Sequence, residues 1–139
     1  MTYTRFWHID LLDVLPDSYL KILRAQCCAA AKVLTGSATV APAIEPIMRY
    51  SRDDIGTYFL AVADECQRRG ILKPLTYRQY FAEYEDCKRI EHPFLAWHNE
   101  RYLKQCVINL SEKYDAGKFS EEEWNLICRK YPHIIEFLK

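Results

Sequence analysis

The stretch that most constrains this chain is residues 17–36, DSYLKILRAQCCAAAKVLTG, which reads as one long amphipathic helix. Leu20, Leu23, Cys27, Ala30 and Leu34 recur at helical spacing and form the stripe that must be buried. Asp17 follows Pro16 and reads as the N-cap, and Gly36, two residues past Leu34, reads as the stop. The middle of the helix, Cys27 to Ala31, is small at every position, so a neighbouring backbone can approach it closely. Lys21, Arg24 and Gln26 fall to other faces.

The rest of the chain supplies partners for that helix. Residues 5–14 (RFWHIDLLDV) are an apolar leader, with Phe6, Trp7, Ile9, Leu11 and Leu12 as its anchors. Residues 36–50, with Pro42 and Pro46, predict a connector holding at most one short helical turn. Ser51 caps a helix that buries Ile55, Phe59, Val62, Ala63 and Cys66 and stops at Gly70. Thr76 has the spacing of a second capping box, for a helix to about Cys87 that carries Tyr77, Tyr80 and Tyr84. A long helix is expected from Pro93 to about Tyr114, with Leu103, Val107, Leu110 and Tyr114 as its stripe. Ser120 with Glu123 is a third capping box, opening a helix that ends before Pro132. The tail packs back through Ile134, Ile135, Phe137 and Leu138. No β alternation appears, so the expected fold is all-α, a single compact domain of five or six helices over residues 1–139.

Length and charge then limit what such a domain can do. A chain of 139 residues holds one core and not two. Nineteen Lys and Arg against nineteen Asp and Glu give zero formal charge, which argues against a general duplex-DNA binder. Residues 1–52 carry a mild excess, six Lys/Arg against four Asp/Glu. The first fifteen residues lack the apolar core of a signal peptide and no run approaches a membrane span, so a cytoplasmic location and no membrane partner are expected. The six cysteines show no C-x-x-C pair, and Cys87, His92 and His98 match no zinc spacing; buried reduced thiols are the reading, with no metal or cofactor. Arg68-Arg69 at a helix end favours the helix dipole without a ligand. The tyrosines near Arg78, Lys88 and Arg89 are core and surface packing, or a platform on which a base can stack.

The pattern Arg5-Phe6-Trp7-His8-Ile9-Asp10-Leu11, followed some fifteen residues later by Gln26-Cys27-Cys28-Ala29, resembles the pyrimidine-dimer DNA glycosylase (endonuclease V) family. The resemblance continues through Arg49-Tyr50-Ser51 and Glu65-Cys66-Gln67-Arg68-Arg69-Gly70-Ile71, and extends weakly over residues 97–116. It implies an all-helical single domain whose own α-amine attacks C1′ of a damaged nucleotide, releases the base and cleaves the strand by β-elimination. An amine with a pKa near ~8 is partly neutral at cellular pH, which suits it to that attack. In the family a glutamate of the first long helix manages protons and developing charge.

This chain departs from the pattern at the reactive positions. The family's Arg-Glu falls on Ala25-Gln26, and a carboxamide neither takes nor gives protons as a carboxylate does. Arg24 stands one position earlier, Arg5 has four residues before it, and Ala38 stands where a histidine is expected. The expectation is therefore a diverged relative that holds DNA or a small nucleotide in the family cleft, with Gln26 at the position of the catalytic glutamate and Arg5, His8, Arg24, Arg49 and Arg52 as ligands of the phosphates. The alternative is an active glycosylase and abasic-site lyase that uses the α-amine of Met1 or Thr2 and a carboxylate from Glu45 or Asp10. A third role, as a homo-oligomer that buries the Tyr77–Tyr84 stripe, stays open at this stage.

Overall fold

A computed structural model of the protein describes residues 6–36 and 45–138. Within them the chain is all-helical, with six α-helices and no strand: α1 (Asp17–Leu34), α2 (Arg52–Arg68), α3 (Pro74–Tyr80), α4 (Glu100–Asp115), α5 (Glu121–Lys130) and α6 (Pro132–Leu138). Short 3₁₀ turns occur at Ile9–Leu11, Glu45–Arg49 and Ala82–Tyr84. One hydrophobic core joins the leader, α1, α2, α4 and α5.

Helices α1 and α2 form the central antiparallel pair. Leu20, Leu23, Cys27 and Ala30 are buried as their spacing requires, but Leu34 is exposed, because the last turn of α1 runs past the end of the core. Asp17 is the first helical residue and not the cap. Pro16 sits in the cap position, and the Asp17 N–H donates to Glu123 Oε2 of α5 at 3.0 Å. Ser51 caps α2 as expected, its Oγ accepting from the Asp54 N–H at 3.2 Å. All five predicted core positions of α2 are buried, and Gly70 ends the run at φ +73°.

Gly56, inside α2, admits a close approach of the 84–87 turn. A Cβ there would lie 2.4 Å from Cys87 Sγ and 3.3 Å from Tyr84 Cβ. Alanine favours a helix interior over glycine by roughly 1 kcal/mol, yet this overlap forces the 84–87 turn outward. Gly56→Ala is expected to destabilise by about 1–3 kcal/mol in a urea melt, and Cys87→Ala in the same chain to restore part of that loss.

The middle of the chain departs from the periodic reading. The helix expected from Thr76 to Cys87 begins at Pro74, which fills a first-turn position where no N–H is needed, and ends at Tyr80. Beyond it the chain breaks at Phe81 so that Phe81 and Tyr84 can both pack edge-on against Phe59. The three tyrosines therefore do not share one face: Tyr84 is buried, Tyr77 donates to Glu85 at 2.6 Å, and Tyr80 borders a groove. The helix expected from Pro93 begins at Glu100 with Asn99 as cap. Residues 88–98 are instead pinned to α2: Asp53 Oδ1 accepts from Lys88 N–H at 2.9 Å, Thr57 Oγ1 from Ile90 N–H at 3.0 Å, and Asp54 Oδ1 from Phe94 N–H at 2.9 Å. Phe94 takes the left-handed conformation, φ 58°, which buries its ring at a backbone cost of roughly 1–2 kcal/mol.

The reciprocal Ser120–Glu123 capping box is present at the start of α5. In the tail, Ile134 and Ile135 pack on the core, but Phe137 is 92% exposed, so the predicted return of the tail is only half made. The leader is anchored by Phe6, Trp7, Leu11 and Leu12, all buried. It is held by hydroxyls from later helices: Tyr102 donates to Phe6 O at 3.1 Å, Tyr58 to Trp7 O, and Tyr131 to Asp10 Oδ2 at 2.7 Å. No helix is long and apolar enough to cross a membrane among the described residues.

Candidate functional site

Residues two apart on a helix point in nearly opposite directions, and this separates the expected site residues of α1. Arg24 lies on the side facing the turn after α2, where its guanidinium donates to Ile71 O. Gln26 lies on the other flank of the core stripe, with Oε1 buried and without a hydrogen-bond partner. Arg52, at the far end of α2 from Ile71 and so roughly 24 Å along that helix, donates to Glu83 O at 2.6 Å and to Asp86 Oδ1 at 2.9 Å. Arg49 is an exposed partner of Glu45 at 2.8 Å. The five arginines and histidines expected in one cleft are thus dispersed where they are described; Met1, Thr2, Arg5 and Ala38 lie outside the described residues. Of the alternative carboxylates, Glu45 is taken up by Arg49, and Asp10 by Tyr131 and Lys130.

His8 sits elsewhere again, in a buried aromatic cluster. Its ring stacks on His98 at 5.5 Å, and Tyr102 stacks on the other side of His98 at 4.8 Å. Phe94, Trp97 and Tyr58 close the cage edge-on. His98 is 4% exposed, and neither of its ring nitrogens has a hydrogen-bond partner. Burial, and secondarily the neighbouring His8, push its pKa down to about 3, so the ring is neutral. Burial lowers His8 as well, against the pull of Asp10.

A concave surface lies on the Arg24 side of α1. Lys21, Arg24, Cys28 and Lys32 recur at i, i+3, i+7 and i+11, with Ala25 and Ala29 between them, and this stripe faces residues 70–74 and Tyr80. The groove is open to solvent along its length and has a volume of about 840 Å³. Its form follows from local structure. Gly70 turns the chain back after α2, the Ile71 N–H returns to Cys66 O at 2.9 Å, and Arg24 ties that turn to α1. The small residues of α1 leave the floor open.

Four of the lining residues are cations, Lys21, Arg24, Lys32 and Lys73, and none of the described lining residues is acidic. Lys21, Lys32 and Lys73 have no carboxylate within ion-pair distance among the described residues. Lys32 Nζ stands 5.5 Å above the Tyr80 ring. At the floor, burial raises the Cys28 thiol, while Arg24 and Lys32 pull it back down. Such a surface favours anions, and the chain's neutral total makes the local excess a property of this groove.

Comparison with protein-family models, curated proteins and solved structures returns no match. The groove was partly legible in the sequence. Lys21, Arg24 and Lys32 share one face on a helical projection, whereas Lys73 and Tyr80 join them only through the Gly70 turn and the early start of α3.

Proposed function

We propose that this protein binds a phosphate-bearing ligand, a nucleic acid or a nucleotide, in the groove between α1 and residues 70–74, and does so without cleaving it. The observation that carries the reading is four cations and no carboxylate lining one concave surface on a chain of zero net charge. Phosphate oxygens suit this set: lysines supply mobile point charges and Arg24 a fixed one. Gln26, in place of the glutamate implied by the glycosylase resemblance, has no proton to exchange, which supports binding over catalysis. A cytoplasmic setting for such a ligand agrees with Cys27, Cys28, Cys66, Cys87 and Cys106 held as free thiols.

The test is equilibrium binding of fluorescent nucleotides and oligonucleotides by anisotropy. Lys21→Glu and Lys32→Glu are each expected to weaken binding on the order of 10-fold, and together to remove it, with the circular dichroism melt unchanged. Arg52→Ala, at the far end of α2, is expected to leave binding as it is. Binding indifferent to both lysines would overturn the reading.

A second reading, an abasic-site lyase of endonuclease V-like fold, draws on the buried polar atoms of Gln26 and His98 that have no partner, since such atoms are costly unless used. Borohydride trapping on an abasic duplex tests it. An adduct on the N-terminal peptide establishes amine chemistry, and its absence even in Gln26→Glu removes this reading.

A further inference from the structure

Resting on the phosphate-binding reading, we infer that the groove is shaped for a single strand of nucleic acid, with Tyr80 as the platform on which one base stacks. Lys21 and Lys32 mark the ends of the α1 stripe, eleven residues and so roughly 16 Å apart along the axis. That distance exceeds the reach of one phosphate group. At the stacked spacing of about 3.4 Å per nucleotide it covers about five nucleotides.

The chemistry of the lining follows the same division. Lys21 and Lys32 stand at the two ends of the α1 stripe, Arg24 one turn from Lys21 and tied to Ile71 O, and Lys73 on the opposing wall, while the floor is Ala25, Cys28 and Ala29. A backbone that follows the charges lays its bases over small apolar residues and toward Tyr80. That ring borders the groove, is half-buried, and already carries Lys32 over its face at 5.5 Å. Aromatic platforms flanked by cations accept any base, because every base offers a π-face. A duplex presents its bases already stacked and paired, so Tyr80 has nothing to accept from it.

The experiment compares three probes on the full chain by anisotropy and competition: a fluorescent six-nucleotide thymidylate, thymidine triphosphate, and a blunt hairpin duplex. The hexamer is expected to bind at least 10-fold more tightly than either of the others. The logarithm of its affinity should fall with the logarithm of salt at a slope of about −2 to −3, from three or four phosphate contacts. Tyr80→Ala should weaken the hexamer on the order of 10-fold and the triphosphate little, and Tyr80→Phe, which keeps the π-face, should restore it. Triphosphate binding as tight as the hexamer would overturn the single-strand inference and leave the phosphate reading standing. Tighter hairpin binding would overturn it likewise. Binding of none of the three probes would remove both.

Discussion

Replacing Arg69 with alanine is expected to lower stability by about 3 kcal/mol and the melting temperature by about 10 °C. The guanidinium is 15% exposed and gathers four acceptors from three parts of the chain. Nη2 donates to Leu12 O at 2.9 Å, Nη1 to Leu15 O and to Asp17 Oδ1 at 2.7 Å each, and Nε to Glu65 Oε2 at 2.7 Å. Burial alone would push the Glu65 carboxyl up; hydrogen bonds from Arg68 and Arg69 overcome it and hold the group below its ordinary range. Removing Arg69 strands two carbonyls at once and leaves the Glu65 carboxylate to Arg68 alone. Arg69→Lys should recover little, since one ammonium cannot span the four acceptors. Arg68→Ala is the control. That side chain is 63% exposed and bonds only Glu65 among the described residues, so its loss should cost much less than that of Arg69. Denaturant melts of the three variants decide it, and equal losses at positions 68 and 69 would remove Arg69 from this role.

Acidification is the second large expected effect. His98 titrates near 6.5 when unfolded and at about 3 when folded, so between those values the unfolded chain binds a proton that the folded chain refuses. Stability from this ring is complete above about pH 6.5 and is lost as pH falls toward 3, at up to about 1.4 kcal/mol per pH unit. By pH 5 the loss reaches about 2 kcal/mol. The groups around the ring are His8 from the leader, Tyr58 from α2, Phe94 and Trp97 from the preceding turn, and Tyr102 from α4. None of these is a carboxylate that could stabilise an imidazolium. His98→Phe keeps the ring and deletes the proton, so its melting temperature should change much less between pH 7 and 5 than that of the parent chain. A parallel fall in both would show that other groups govern acid unfolding.

These two side chains also show what the sequence discloses. Arg69 stands three residues after Cys66 and seven after Val62, so it continues the buried stripe of α2, while Arg68 does not. That phase was readable, although the doublet looks like an ordinary basic helix end. His8 and His98 carry no such signal. They lie ninety positions apart, and the cage around them depends on the left-handed turn at Phe94, a conformation no helical or strand pattern announces. Helix α2 was legible because cap, stripe and stop agree, α5 because its capping box and the following Pro132 bound it, and α1 because its stripe and glycine stop agree although its cap falls one residue earlier than Asp17. The region between them was not. It is held by Asp53, Asp54 and Thr57, which project sideways from α2, so its order comes from tertiary hydrogen bonds and not from a repeating pattern. The groove shows the same division, with its α1 wall periodic and its opposite wall set by one glycine.

Apart from the Tyr58 hydroxyl of α2, the hydroxyl and amine donors that hold the leader come late in the chain. Tyr102 lies 96 residues beyond Phe6, Lys130 lies 117 beyond Asp13, and Tyr131 lies 121 beyond Asp10. At ribosomal speeds of about 5–20 residues per second, Phe6, Trp7 and Leu11 emerge on the order of ten seconds before the groups that cover them. This apolar segment is thus among the last parts of the described core to be enclosed, and the nascent chain depends on α1 and α2 pairing early to shelter it.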